Sequence, residues 1–122
     1  VRRIAAAALA SLALVACAES ADPGVFDLIE FSITGPERLD AGPATLTVNN
    51  AGEFSHTLVV TNSADDVIAA TPLIPGGTSV ELDVDLAPGN YWFTCRIVAQ
   101  DDEGNLSDHY LKGMATTVEV TG

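Results

Sequence analysis

Short apolar segments that alternate with polar residues run through most of the chain. In TSVELDVDL (78–86), Val80, Leu82, Val84 and Leu86 fall on one face and Glu81, Asp83 and Asp85 on the other. That period of two is what a half-buried strand requires. Comparable segments are VFDLIEFSI (25–33), ATLTVNN (44–50), SHTLVVTN (55–62), DVIAATPLI (66–74), NYWFTCRIV (90–98) and ATTVEV (115–120). Turn-forming residues separate them: Gly35-Pro36, Ala51-Gly52, Pro75-Gly76-Gly77 and Pro88-Gly89-Asn90. No segment shows a sustained helical period, although residues 63–70 have room for one helical turn. About seven to eight short strands in roughly 100 residues predict an all-β, antiparallel Greek-key sandwich over residues 25–122.

The first residues depart from this pattern. Arg2 and Arg3 precede an apolar run of thirteen residues, Ile4 to Ala16. The run is too short for a stable bilayer-spanning helix and has the shape of a signal peptide. It ends in Leu14-Val15-Ala16-Cys17, which resembles a bacterial lipobox. This divides the chain into a signal peptide (1–16), a lipidated Cys17 with a short tether (17–24) and one domain (25–122). The expected location is extracytoplasmic, with acyl chains on Cys17 anchoring the protein to the bilayer, facing the periplasm or the cell exterior. An ordinary secretory signal cleaved near Ala18, with Cys17 discarded, is the other reading.

Charge narrows the partners. From Cys17 onward, all seventeen acidic residues face three bases, Arg38, Arg96 and Lys112, for a net charge of −14. Such a surface excludes nucleic acid and an anionic membrane surface as partners, because both need positive charge opposite phosphate. It suits a basic partner, or simply solubility.

With Cys17 lipidated, Cys95 is an unpaired thiol in an exported protein, which calls for an explanation. Taken alone, Cys95 reads as a small core hydrophobe in a strand, His56 as a turn residue and Met114 as core. Their order along the chain adds more. TVNNAGEFSHTLVV ends a strand, turns at Ala51-Gly52 and presents His56. APGNYWFTC places a Pro-Gly turn before an aromatic strand that delivers Cys95. His109-Tyr-Leu-Lys-Gly-Met114 then leads into a last strand. Strand phase puts Tyr91, Phe93, Cys95 and Ile97 on one face, with Trp92 and Thr94 on the other.

These pieces together resemble the cupredoxins, the plastocyanin-like blue copper proteins, across about residues 25–120. The resemblance implies one type-1 copper ion held by His56, Cys95 and His109 in a plane, with Met114 as a weak axial ligand. Two imidazoles, a thiolate and a thioether suit both Cu(I) and Cu(II) without fully satisfying either, so little moves when an electron passes. It also implies a monomeric one-electron carrier rather than an enzyme, working with a redox protein such as a c-type cytochrome or a membrane oxidoreductase. His109 is expected to show a ring edge to solvent as the electron port. Asn50 and Thr57 flank the first ligand and are expected to orient it. With both histidines committed, none remains for a second copper. Two other roles stay open: copper delivery or storage on the same fold, and a metal-free β-sandwich binding module.

One departure stands out. In typical blue copper proteins few residues separate the Cys from the second His, whereas here thirteen, RIVAQDDEGNLSD, intervene. They read as a strand extension and a protruding hairpin. Such an insert costs little, since loop-closure entropy grows only logarithmically with length. Asp101, Asp102, Glu103 and Asp108 crowd it, either as a docking surface for a basic partner or as a solvated turn; a Ca²⁺ loop is a remote third reading. Thr94 stands where plant plastocyanins carry an outward Tyr, so an electron route through that ring is absent.

Overall fold

The structure is a computed structural model that describes residues 24–122, so the leader, the lipobox and Cys17 lie outside the described residues. Strands β1 (Val25–Ile29), β2 (Ser32–Thr34), β4 (Gly42–Asn50) and β7 (Ser79–Leu86) form one sheet in the order β2-β1-β4-β7. A second sheet contains β3 (Arg38–Asp40), β5 (Val59–Asn62), β6 (Val67–Ala70), β8 (Gly89–Thr94) and β11 (Ala115–Thr121), ordered β3-β11-β8-β5-β6. A separate hairpin joins β9 (Val98–Gln100) to β10 (Leu106–Asp108).

The fold is all-β, as the alternation predicts, and no helix forms among the described residues. The strands number eleven instead of seven or eight, for identifiable reasons. VFDLIEFSI breaks at Glu30-Phe31 into β1 and β2, NYWFTCRIV breaks at Cys95, and the insert supplies two strands of its own. The short polar strand β3 carries no apolar period. Pairing is also mixed and not purely antiparallel: β1 runs parallel to β4, and β3 parallel to β11. Residues 67–70 form an edge strand, leaving no helical turn there.

Inward positions of the two sheets meet in a single core. Phe26, Leu28, Leu46, Val48 and Leu86 come from one side, and Val60, Tyr91, Phe93, Val118 and Val120 from the other. The rings of Phe26 and Phe93 lie 4.7 Å apart between centroids and tilt by 34°, a favourable offset contact. The aromatic strand β8 is central to its sheet, paired on both sides over most of its length. Cys95 therefore leaves the end of a strand held on both sides.

Candidate metal centre

Loop 51–55 is folded around one side chain. Asn50, 2% exposed at the end of β4, donates from Nδ2 to the carbonyls of Phe54 and Ile74, both at 2.8 Å, and accepts from the N–H of Gly52 at 2.9 Å. His56 then pairs through its backbone with Ile74 in both directions, at 3.1 and 2.8 Å. The ligand-bearing segment is thus pinned on both flanks before its side chain is considered.

Cys95 is tied down from two directions. Its N–H donates to the Met114 carbonyl at 3.1 Å. Its sulfur accepts the Thr57 N–H at 3.4 Å, with the Thr57 hydroxyl at 3.9 Å. Thr57 Oγ1 also accepts the N–H of Arg96 at 3.4 Å.

The insert returns to the site as a closed hairpin. Leu106, Ser107 and Asp108 pair with Gln100, Ala99 and Val98, and the His109 N–H donates to the Ile97 carbonyl at 3.0 Å at its base. At the tip, Asp101 accepts the backbone N–H groups of Glu103 and Asn105 at 2.9 and 2.8 Å and the Asn105 side-chain amide at 3.1 Å. The backbone and side chain of Asn105 hold the Asp101 carboxyl below its ordinary range. Asp108 caps the next turn, accepting the Leu111 N–H at 3.1 Å. Asp102 and Glu103 are exposed at the tip.

From His109 the chain turns back within five residues. Met114 donates its N–H to the His109 carbonyl at 3.0 Å. Gly113, at φ +120°, occupies a backbone region that a side chain would strain, and it lies close against the Phe31 carbonyl. Met114 is fully buried and bonded through its backbone to both His109 and Cys95.

These elements bring three donor atoms together. His56 Nδ1 and His109 Nδ1 lie 3.1 Å apart, and Cys95 Sγ lies 3.8 and 3.7 Å from them. A point equidistant from all three sits about 2.1 Å from each, and metal bonds to imidazole nitrogen and thiolate sulfur run about 2.0–2.3 Å. The donors fit a single ion without rearrangement. Burial, followed by the neighbouring His56, holds the His109 imidazole below the ordinary histidine range and keeps a lone pair available. With Met114 beside them, His56, Cys95 and His109 are positioned as a site for one copper ion, the metal that a trigonal two-imidazole, one-thiolate set with a thioether suits.

Three further residues surround the donors without any signal in the sequence. Glu30 Oε1 sits 2.7 Å from His56 Nε2, and the same carboxylate accepts the N–H groups of Phe54 at 3.0 Å and Glu53 at 3.1 Å. Partial burial raises the Glu30 pKa, but those two N–H groups and His56 outweigh it and hold the carboxyl at about 2. Gly52 lies beneath it, and a Cβ there would force the carboxylate to shift. Phe31 packs edge-on against His109 with centroids 5.0 Å apart, and Phe54 stacks at 6.5 Å.

That packing corrects one expectation. His109 is 1% exposed instead of presenting a ring edge to solvent, and its Nε2 is buried with no hydrogen-bond partner among the described residues. Phe31 and Phe54 pack against the ring. Above it lies an open groove of about 630 Å³, lined chiefly by Phe54, Leu73, Ile97 and Leu106, with Lys112 at its edge.

No protein-family model matches the sequence, and no curated protein matches it significantly. Solved structures do match. Dithionite-reduced auracyanin from the photosynthetic bacterium Roseiflexus castenholzii aligns over 80% of this chain and 95% of its own, with 19% identity and a TM-score of 0.64. Reduced rusticyanin aligns over 84% and 82%, with 16% identity and a TM-score of 0.62. The azurin Az-iso2 from the methylotroph Methylomonas sp. strain J aligns over 80% and 96%, with 16% identity and a TM-score of 0.60. All three alignments cover at least 80% of this chain. The fold of this chain is that of the cupredoxins.

Proposed function

We propose that the protein binds one copper ion through His56, Cys95, His109 and Met114 and passes single electrons to a partner protein. The observation that carries this reading is the buried donor triangle, whose dimensions already match those of a bound ion. When bound, copper supplies a one-electron couple between Cu(II) and Cu(I). The chain supplies a frame that does not move as the charge changes. Asn50 fixes the His56 loop, the Met114–Cys95 and Met114–His109 backbone bonds lock the other ligands together, and full burial keeps water out. A frame fixed in this way keeps the reorganisation on electron transfer small.

Electrons leave through the end of the sandwich that carries the groove, where Phe54, Leu73 and Leu106 are exposed. Asp102, Glu103 and Asp108, with Asp101 holding the turn, steer a basic partner such as a c-type cytochrome or membrane oxidoreductase toward it. The chain acts as a monomer. It works outside the cytoplasm, tethered through Cys17, a reading supported by the basic, apolar and Cys-terminated leader. One observation favours a second role, copper delivery or storage: the covered ring of His109 lengthens any route for an electron.

The test is to load residues 21–122 with Cu(II) and record visible and EPR spectra. An intense thiolate-to-copper band that disappears in Cys95→Ala supports the site; its absence from the wild type sinks it. Fast self-exchange separates a carrier from a delivery protein, which would exchange electrons slowly and give near-irreversible voltammetry.

A further inference from the structure

The corner between β1 and β2 contributes no ligand, yet it grips both imidazoles. Phe31 packs on His109, and Glu30 bonds His56. The two contacts differ in kind. Among the described residues Nε2 of His109 has no hydrogen-bond partner, whereas Nε2 of His56 faces a carboxylate oxygen at 2.7 Å. That carboxylate takes two backbone N–H groups as well, so it serves wholly as an acceptor. A carboxylate that only accepts requires the proton of His56 to sit on Nε2. Nδ1, the atom that faces His109 and Cys95, is then left with its lone pair.

The carboxylate also changes the charge balance. A Cys95 thiolate and the Glu30 carboxylate together carry two negative charges beside the donor triangle. A doubly charged ion is neutralised by them, while a singly charged ion leaves one negative charge in excess. Resting on the copper reading above, we infer that Glu30 is a positioning residue that fixes the Nε2–H tautomer of His56 and biases the site toward the oxidised ion. It makes the two imidazoles unequal: His56 is the more basic donor, and His109, whose Nε2 has no hydrogen-bond partner among the described residues, the weaker one.

Glu30→Gln tests this, because it keeps an acceptor oxygen and removes the charge. At a fixed ambient potential the Cu(I):Cu(II) ratio should rise at least tenfold over wild type, which is about 59 mV upward for a one-electron couple. A stapling role for loop 51–55 would lower the thermal midpoint without that shift. An intensely coloured wild type together with an unchanged potential in Glu30→Gln overturns the inference alone. A wild type without a thiolate-to-copper band overturns the copper reading and this inference with it. Should Glu30→Gln fail to fold, long-range ¹H–¹⁵N spectra of the metal-free wild type decide. A proton on His56 Nε2 supports the assignment, and a proton on Nδ1 overturns it.

Discussion

His56 Nδ1 and His109 Nδ1 stand 3.1 Å apart although 53 positions separate the residues in sequence. At 3.1 Å one ring accepts an N–H···N bond from the other, and the backbone frames the approach. The framing bonds join His56 to Ile74, His109 to Ile97 and Met114 to His109. A preformed donor set binds an ion in the folded state and not in the unfolded chain, so a bound ion adds stability. Adding copper should raise the thermal midpoint, and a chelator should lower it again. An ion at 1,000 times its dissociation constant adds about 4 kcal/mol, enough for a rise of more than 10 °C in a domain this small, readable by calorimetry.

Asn50→Ala should be strongly destabilising although Asn50 is not itself a donor to the ion. It removes two donors at 2.8 Å and leaves the Ile74 carbonyl without that side-chain partner in a buried place. The expected loss is about 2–4 kcal/mol in urea unfolding, at the upper end because two bonds fail together. Asn50→Asp should not rescue it, since a carboxylate cannot donate to either carbonyl.

Thr57→Val should lower the reduction potential. The substitution keeps the N–H bond to Cys95 Sγ at 3.4 Å but deletes the hydroxyl at 3.9 Å. A sulfur with fewer donors is a stronger electron donor, which favours Cu(II). The sign is opposite to that of Glu30→Gln, and voltammetry on the two variants separates them. The shift should be less than tenfold in the Cu(I):Cu(II) ratio, about 59 mV at most, because the deleted contact is long.

Acid should open the hairpin tip before it unfolds the domain. The Asp101 carboxyl lies below its ordinary value because Asn105 bonds its charged form. A depressed carboxylate contributes stability that is fully present above the ordinary value of 3.8 and is lost as pH falls through its lower folded value. The amide resonances of Glu103 and Asn105 should therefore titrate together below pH 3.8, with the strands of the sandwich unchanged.

The sandwich was readable because its strands alternate. Val80, Leu82, Val84 and Leu86 behave as the period demands, and the phase of Tyr91 and Phe93 in β8, continued to Cys95 just beyond it, matches their burial. Thr94 departs from it: phase turns it outward, but it is 4% exposed, flanked in the sheet by Val59 and Ala115. Parallel pairing of β3 with β11 could not be read, since Arg38–Asp40 is short and polar and only long-range contact gives it a place.

The site was readable to the depth of its ligands. His56, Cys95, His109 and Met114 carry chemistry in their side-chain types, and Asn50 and Thr57 adjoin them in the chain. Glu30 could not be found this way. It is one acidic residue in the alternating run VFDLIEFSI, and nothing local distinguishes it from Asp27, which bonds only the surface side chain of Asn49. Phe31 and Phe54 look like ordinary apolar residues until the fold lays them over His109. Burial of that ring depends on which loops cross the end of the sandwich, and no periodicity encodes that.

The hydrogen bond between His109 and Ile97 gives the long insert a neck. Everything beyond it hangs on its own two-stranded ladder and its own Asp101 turn, so the arm is built as a cantilever from a fixed clamp. Lengthening or re-charging residues 99–107 alters what the arm reaches while the clamp keeps His109 in register with Cys95. On the function proposed above, the choice of partner and the chemistry of the ion can then drift independently, one written in the tip and the other in the frame below it.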